Sequence, residues 1–391
     1  MNNSSPPTAI DLFCGAGGLS EGFRQAGYRV LAGNDIDRYA AETFRATHRE
    51  AEFIEGPIES ITATKLLRTA GLAKGELDCL LGGPPCQGYS VYNHQRGMQD
   101  SRSRLFEEYL RIVAGVMPRW VVMENVTGIT SIANGMVVRA ILVSLRALGY
   151  NVETQIFRAE EYGVPQERRR ILFVGNRLGL PIRWPQPTHG PSRIPFVSVW
   201  DAISDLPKLK NGQNLTDGSQ YRTDAKSAYQ RELRQNSVGV INHSAPKLAP
   251  INLLRMEHIP EGGSWRDIPI RLLPQGMKNA RRCDHTKRYG RLEKNGLSST
   301  ILTKCDLHWG AYIHPEQDRA LTVREAARLQ SFPDWFEFKG PRTEQYIQVG
   351  NAVPPLLGRK IAAAILAGTV GLEETAPKRG MYNSQSELQV A

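Results

Sequence analysis

The chain has 391 residues, 41% of them hydrophobic and 23% charged, which excludes global disorder and suits two or three folded units at roughly 150 residues each. No apolar run approaches the ~18 residues that a membrane span needs, and Met1 to Thr8 has neither the basic start nor the apolar stretch of a secretory signal, so a soluble cytoplasmic protein is expected. The net charge is +10 and the isoelectric point near 9.4; 21 of the 49 Lys and Arg and 13 of the 39 Asp and Glu lie between Arg177 and Asp318, so one segment holds +8 and points to a polyanionic partner.

In chain order, Ala9 to Phe13 reads as a short buried strand, followed by Cys14-Gly15-Ala16-Gly17-Gly18 and a helical stretch to Ala26. Arg29 to Ala32 is a second strand, ending at Asn34-Asp35, and Asp37 to His48 a helix. Leu77 to Leu81 is a strand running into Gly82-Gly83-Pro84-Pro85. Leu105, Tyr109, Ile112, Val113 and Val116 recur at helical spacing and Pro118 closes that helix. Trp120 to Met123 is a buried strand ending at Glu124, followed by a helix from Met136 to Leu148 and a strand from Ile171 to Val174. This alternation predicts an α/β fold with a doubly wound, mostly parallel sheet.

From Arg177 to Asp318 the pattern breaks into Pro-, Gly-, Asn- and Ser-rich sequence without periodicity. Helical order returns at Thr322 to Gln330, with Thr322 as N-cap and Glu325 three residues on, and at Pro354 to Leu366. The expected organisation is therefore a first domain formed by 1–176 plus 319–370, a smaller irregular domain at 177–318 inserted into it, and a loose tail at 371–391.

Gly15, Gly17 and Gly18 sit between a strand and a helix, where backbone can approach a ligand and helix N–H groups face it. Asp35, 20 residues after Gly15, ends the next strand and is placed to accept hydrogen bonds from ribose hydroxyls. This pattern suits a nucleoside cofactor, or only a tight turn. Cys86 follows Gly82-Gly83-Pro84-Pro85, on a stiff loop at the carboxyl end of a strand, where a thiol can act as nucleophile or be a bland loop cysteine. Glu124 ends a buried strand; partial desolvation there raises a carboxyl toward the range of a proton donor, the alternative being a capping residue. The five cysteines, Cys14, Cys79, Cys86, Cys283 and Cys305, make no disulfide framework and are expected to stay reduced. Cys283, His285, Cys305 and His308 do not have the spacing of a standard zinc finger, and no metal is expected. Arg281, Arg282, Lys287, Arg288 and Arg291 surround Tyr289 in a dense basic patch, either a solvated face or a DNA contact.

The ordered set resembles the DNA (cytosine-5)-methyltransferase family, bacterial restriction-modification type, from about residue 9 to 365. It runs through Asp11-Leu12-Phe13-Cys14-Gly15-Ala16-Gly17-Gly18, Gly83-Pro84-Pro85-Cys86-Gln87 and Glu124-Asn125-Val126. It continues with Gln166-Glu167-Arg168-Arg169-Arg170, with Arg324 to Pro333, and with Gln348-Val349-Gly350-Asn351-Ala352-Val353-Pro354-Pro355.

The resemblance implies a Rossmann-like catalytic domain that uses S-adenosyl-L-methionine. It implies Cys86 as the nucleophile toward carbon 6 of cytosine, Glu124 as the acid at ring nitrogen 3 and Asn125 as a holder of the base. Arg168 and Arg170 are implied to steady the catalytic loop and the base's carbonyl oxygen. Phe13, Gly15, Gly17, Gly18, Asp35, Ile36, Leu105, Asn351 and Val353 are implied to line the cofactor pocket. Gln87 and Ser90, with the basic patch, are expected to touch DNA, the segment 177–318 acting as target-recognition domain. Expected partners are double-stranded DNA and a restriction endonuclease acting on the same site without a stable complex, the enzyme itself being a monomer at the nucleoid. In one departure, Gly56-Pro57-Ile58 has proline where the family often has an aspartate near the adenine amino group. Alternatives are a tRNA cytosine-5 methyltransferase and a non-catalytic sequence-specific DNA-binding protein; intact Cys86, Glu124 and Arg170 speak against the latter.

Overall fold

The computed structural model describes residues 5–85, 105–304 and 306–370. The expectations for Cys86, Gln87, Ser90, Cys305 and the tail 371–391 lie outside the described residues.

Seven strands form one sheet: β1 (Thr8–Leu12), β2 (Arg29–Asp35), β3 (Glu52–Glu55), β4 (Cys79–Gly82), β5 (Trp120–Val126), β6 (Asn151–Arg158) and β7 (Arg169–Asn176), in the spatial order β3-β2-β1-β4-β5-β7-β6. Neighbours from β3 to β5 run parallel, and β7 lies antiparallel between β5 and β6. The expected doubly wound, mostly parallel α/β sheet is what forms. The chain reverses its winding direction at β1 and β4, so their carboxyl ends open a crevice where ligands bind in folds of this type.

Alternating residues separate two cores. Ala9, Cys79, Leu81, Trp120, Val122 and Leu172 face one cluster, while Ile10, Leu80, Val121, Met123, Ile171 and Phe173 face the other. The second face is covered by α3 (Ala63–Ala70), α4 (Leu105–Val116) and α5 (Met136–Ala147), through Leu66, Ile112 and Ile141. The first is covered by α1 (Gly18–Gln25) and by the C-terminal α9 (Val323–Leu329) and α11 (Pro355–Val370). The C-terminal segment thus returns to the sheet. Gly22 makes this contact possible: a Cβ there would stand 2.5 Å from the carbonyl oxygen of Pro355. The remaining long helices, α2 (Arg38–Thr47) and α10 (Arg342–Asn351), pack against one another beside β2.

Residues 177–318 hold only short helices, α6 (Val199–Ile203), α7 (Ala228–Leu233) and α8 (Pro250–Met256), single 3-10 turns and loops; no β-strand forms there among the described residues. Their apolar residues Val199, Tyr229 and Tyr312 join the core on the first sheet face. Buried charges hold the junction. Arg328 of α9 binds Asp334 at 2.6 Å and also Asp205 of the insert, and Arg234 pairs with that same Asp205. The N-cap of α9 is the capping box read from the sequence: Glu325 N–H donates to Thr322 Oγ1 at 3.1 Å, and Thr322 N–H donates to Glu325 at 2.8 Å.

Candidate active site

The site begins where β1 ends. Phe13, Gly15 and Gly17 have φ of 55, 53 and 94°, so the chain turns sharply before entering α1. Left-handed backbone costs a residue such as Phe13 ~1–2 kcal/mol, repaid by the bonds the turn makes. Cys14 N–H donates to Asn34 O at 3.0 Å, and Gly15 N–H to Asp35 Oδ2 at 2.8 Å. The second carboxylate oxygen of Asp35 accepts from Asp37 N–H at 3.0 Å. Asp35 thus braces the glycine loop. Burial pushes its pKa up, and the N–H groups of Asp37 and Gly15 offset part of that rise. Ile36, next along the chain, is 70% exposed, and a Cβ on Gly15 would meet nothing within 4 Å.

Gly18 lets the C-terminal segment close the loop from outside: a Cβ there would stand 2.6 Å from the carbonyl oxygen of Val353. Val353 is buried, Asn351 at the end of α10 is exposed, and Leu105 opens α4 partly buried. Pro57 is exposed and starts the 3-10 turn Ile58–Ser60, its carbonyl accepting from the Ser60 hydroxyl at 2.8 Å.

Glu124 lies one strand beyond β4. Because β4 and β5 pair in parallel, with Gly82 opposite Met123, it arrives beside the loop that leads toward Cys86. A Cβ on Gly83 would sit 3.3 Å from Glu124 Oε2. The Asn125 side-chain amide donates to Pro84 O at 3.0 Å. Glu124 Oε1 and Arg170 Nε stand 2.7 Å apart in a close ion pair, both side chains 12% exposed. Burial pushes the Glu124 carboxyl above the ordinary range, against the opposing pull of Arg170 and Arg168. Burial and the two guanidinium groups thus act on this carboxyl in opposite directions, with burial the larger effect.

Arg168 and Arg170 do different work. Arg170 faces Glu124 and lines a polar cleft of about 370 Å³ shared with Thr127, Arg158, Glu160, Glu167, Arg169 and Thr300. Arg168 is fully buried; its guanidinium donates to the carbonyls of Gly350 and Ala352, each at 2.8 Å, and of Ile301 at 3.2 Å. From just before β7 it ties the sheet to the C-terminal segment and to Ile301.

Of the basic patch, Arg281, Arg282 and Lys287 are exposed and Arg288 half-buried. Arg291 corrects the expectation of a DNA contact. It is 8% exposed, and its guanidinium donates to Ile259 O at 2.7 Å, Met256 O at 2.9 Å and Asp318 Oδ1 at 2.5 Å. Every arm is spent inside the insert, so charge density along the sequence misread its direction. His308 is taken by Asp306 at 2.9 Å and the Tyr289 hydroxyl at 2.6 Å, and Cys283 is exposed.

Two further residues matter here. Asp11 is buried near the carboxyl end of β1, accepts from Ser20 Oγ at 2.7 Å, and is pushed up to about 7 by burial despite that bond. Gln166 is fully buried, donates to Leu329 O at 3.0 Å and accepts from Ile301 N–H at 3.0 Å. The signal for Asp11 was a carboxylate inside an apolar strand; for Gln166 none exists apart from its motif.

No helix among the described residues is long and apolar enough to cross a membrane. In fold, the chain is similar to an E. coli prophage protein assigned as a DNA modification methyltransferase, with a TM-score of 0.74 and 24% identity over 93% of this chain and 99% of that one. It is also similar to Spodoptera frugiperda DNMT2, with a TM-score of 0.58 and 15% identity over 92% and 99%. In sequence it is 35% identical to the type II methyltransferase M.AgeI of Thalassovita gelatinovora, covering 91% of this chain and 98% of the relative. It is likewise 35% identical to M1.HphI of Haemophilus parahaemolyticus, covering 92% and 86%. The family model for C-5 cytosine-specific DNA methylases matches residues 8–367. The chain belongs to the C-5 cytosine-specific DNA methylase family.

Proposed function

We propose that this enzyme methylates carbon 5 of a cytosine within one short double-stranded DNA sequence, as the modification enzyme of a type II restriction-modification system or as a solitary methyltransferase. The observation that carries the reading is the buried Glu124–Arg170 pair, 2.7 Å apart, held against the Gly83-Pro84-Pro85 loop that leads into Cys86.

The crevice suits S-adenosyl-L-methionine. An unfilled approach at Gly15, the braced carboxylate of Asp35 and the exposed Ile36 offer backbone, a ribose acceptor and an apolar cover for a base. Phe13, Gly17, Gly18, Leu105, Asn351 and Val353 complete the set. When bound, the cofactor supplies a methyl group on a sulfonium sulfur, an electrophile toward carbon.

Cytosine is a poor nucleophile at carbon 5, and the chain's residues correct that. The Cys86 thiolate forms a bond to carbon 6 while Glu124 gives its proton to nitrogen 3; the displaced electron pair makes carbon 5 an enamine carbon. After methylation, carbon 5 loses its proton to a base, nitrogen 3 returns its proton to Glu124, and the carbon–sulfur bond breaks to release Cys86. A free thiol titrates near ~8.5, so Cys86 needs nearby positive charge or N–H donors, a role this reading gives to the arginines of the site and to the loop backbone. Asn125 steadies the loop and the base. The target atoms lie inside the base stack, so the cytosine is flipped out at a cost of a few kcal/mol.

Residues 177–318 act as the target-recognition domain and offset that cost through phosphate and groove contacts. The enzyme works as a monomer at the nucleoid and, as part of a restriction-modification system, meets its endonuclease only through their common site. Bisulfite sequencing of DNA and of tRNA from cells expressing the chain tests the whole reading. Protected cytosines at one short motif are expected; protection confined to tRNA, or none at all, would contradict it.

A further inference from the structure

Trp309 is 50% exposed on the turn from Asp306 to Gly310, and no other Phe or Trp among the described residues is as open to solvent. The turn holding it is tightly built. Trp309 N–H donates to Asp306 O at 2.9 Å, and the backbone N–H and ring Nδ1 of His308 each meet Asp306 Oδ1 at 2.9 Å. The other ring nitrogen of His308 lies 2.6 Å from the Tyr289 hydroxyl, and Tyr289 N–H donates to Leu307 O at 2.7 Å. Two loops are thereby bolted together. The Arg288 guanidinium rests over the indole, 5.3 Å from its centroid, and Lys287, beside Arg288, and Lys304, in the segment leading to the turn, are exposed. Asp306, the acidic group within the turn, is engaged by His308.

The root of this excursion is fixed to the active site. The Tyr312 hydroxyl contacts Leu302 N–H at 3.1 Å and Thr300 O at 3.3 Å, closing its neck. Thr300 Oγ1 donates to Glu167 O at 2.6 Å and Arg168 donates to Ile301 O at 3.2 Å. A rigid aromatic knob backed by a guanidinium, its neck tied to the residues just before the strand that carries Arg170, has the chemistry of a base-stacking platform.

We propose that Trp309, backed by Arg288, stacks on a base of the target duplex bordering the extruded cytosine and so helps hold the DNA open. The inference rests on the duplex-DNA reading above. Its test compares wild type, Trp309→Ala and Trp309→Phe on a duplex containing the target found by bisulfite sequencing. Trp309→Ala is expected to weaken duplex binding by about 5- to 150-fold, the range of one lost base stack. Trp309→Phe should recover most of that, with cofactor binding and melting temperature unchanged in both. Duplex binding should also quench tryptophan emission in wild type more than in Trp309→Phe. Unchanged affinity in Trp309→Ala beside an active wild type would overturn this inference alone, as would equal loss in both variants with a lowered melting temperature. A wild type that methylates no duplex would overturn the substrate reading and this inference together.

Discussion

The Asn125 amide reaches across from β5 to the carbonyl of Pro84, 3.0 Å away, and so links the strand end that carries Glu124 to the loop before Cys86. Asn125→Ala breaks that link and leaves a buried carbonyl unpaired, at about 1–3 kcal/mol. The turnover number should fall at least tenfold while cofactor affinity stays the same. Isothermal titration with S-adenosyl-L-methionine beside steady-state kinetics separates the two.

The pH dependence follows from Glu124. Burial raises its pKa and Arg170 pulls it down. In the proposed mechanism the protonated form is the donor, so activity is present on the acid side and lost as pH rises through the folded value. Arg170→Met removes the opposing charge and should move this alkaline limb to higher pH while lowering the rate. Glu124→Gln should cut turnover by ~10²–10⁴ without changing cofactor affinity. A limb unmoved in Arg170→Met assigns the titration to another group.

Arg328 is the electrostatic clip between insert and α9, fully buried between Asp205 and Asp334. Asp205→Ala leaves it short of one carboxylate and should cost about 3–5 kcal/mol, read as a drop in the denaturant midpoint. Burial raises the Asp334 carboxyl, but Arg328 and Arg324 outweigh it and hold the pKa down. Its contribution is therefore present above the ordinary value of ~4 and disappears as pH falls through the lower folded one. Thermal melts below pH ~4 should lose stability in wild type, and less steeply in Arg328→Met.

Gly22 tests the return of the C-terminal helix. Gly22→Ala places a methyl group 2.5 Å from Pro355 O and 2.7 Å from Arg359 N, so α1 and α11 must part. A loss of about 1–3 kcal/mol is expected from such overpacking, against no loss for Gly27→Ala on space alone, although its φ of 98° adds backbone strain. A melting temperature lowered more in Gly22→Ala supports the packing.

The inner strands were legible because continuous apolar runs such as Trp120 to Met123 form where a strand is buried on both faces. The edge strands were not. β3, Glu52-Phe53-Ile54-Glu55, and β6, whose Glu153 and Arg158 are exposed, carry charges outward and broke the expected run. Helices α3 and α10 were also missed; α10 is polar in sequence and buries Gln348 beside Tyr346, which no apolar spacing announces. In the site, the glycine loop, Asp35 and Glu124 stood at strand ends and could be read. The inward turn of Arg168 and Arg291 could not, because a guanidinium bound to backbone carbonyls looks in sequence like any surface cation.

Covalent trapping tests most directly whether Cys86 attacks a cytosine in duplex DNA. A duplex carrying 5-fluorocytosine at the target, incubated with S-adenosyl-L-methionine, should give an adduct that survives denaturation, because fluorine cannot leave as a cation and β-elimination stalls. Cys86→Ser should abolish the adduct, while Cys14→Ser, Cys79→Ser and Cys283→Ser should retain it. An adduct that persists in Cys86→Ser would contradict the account.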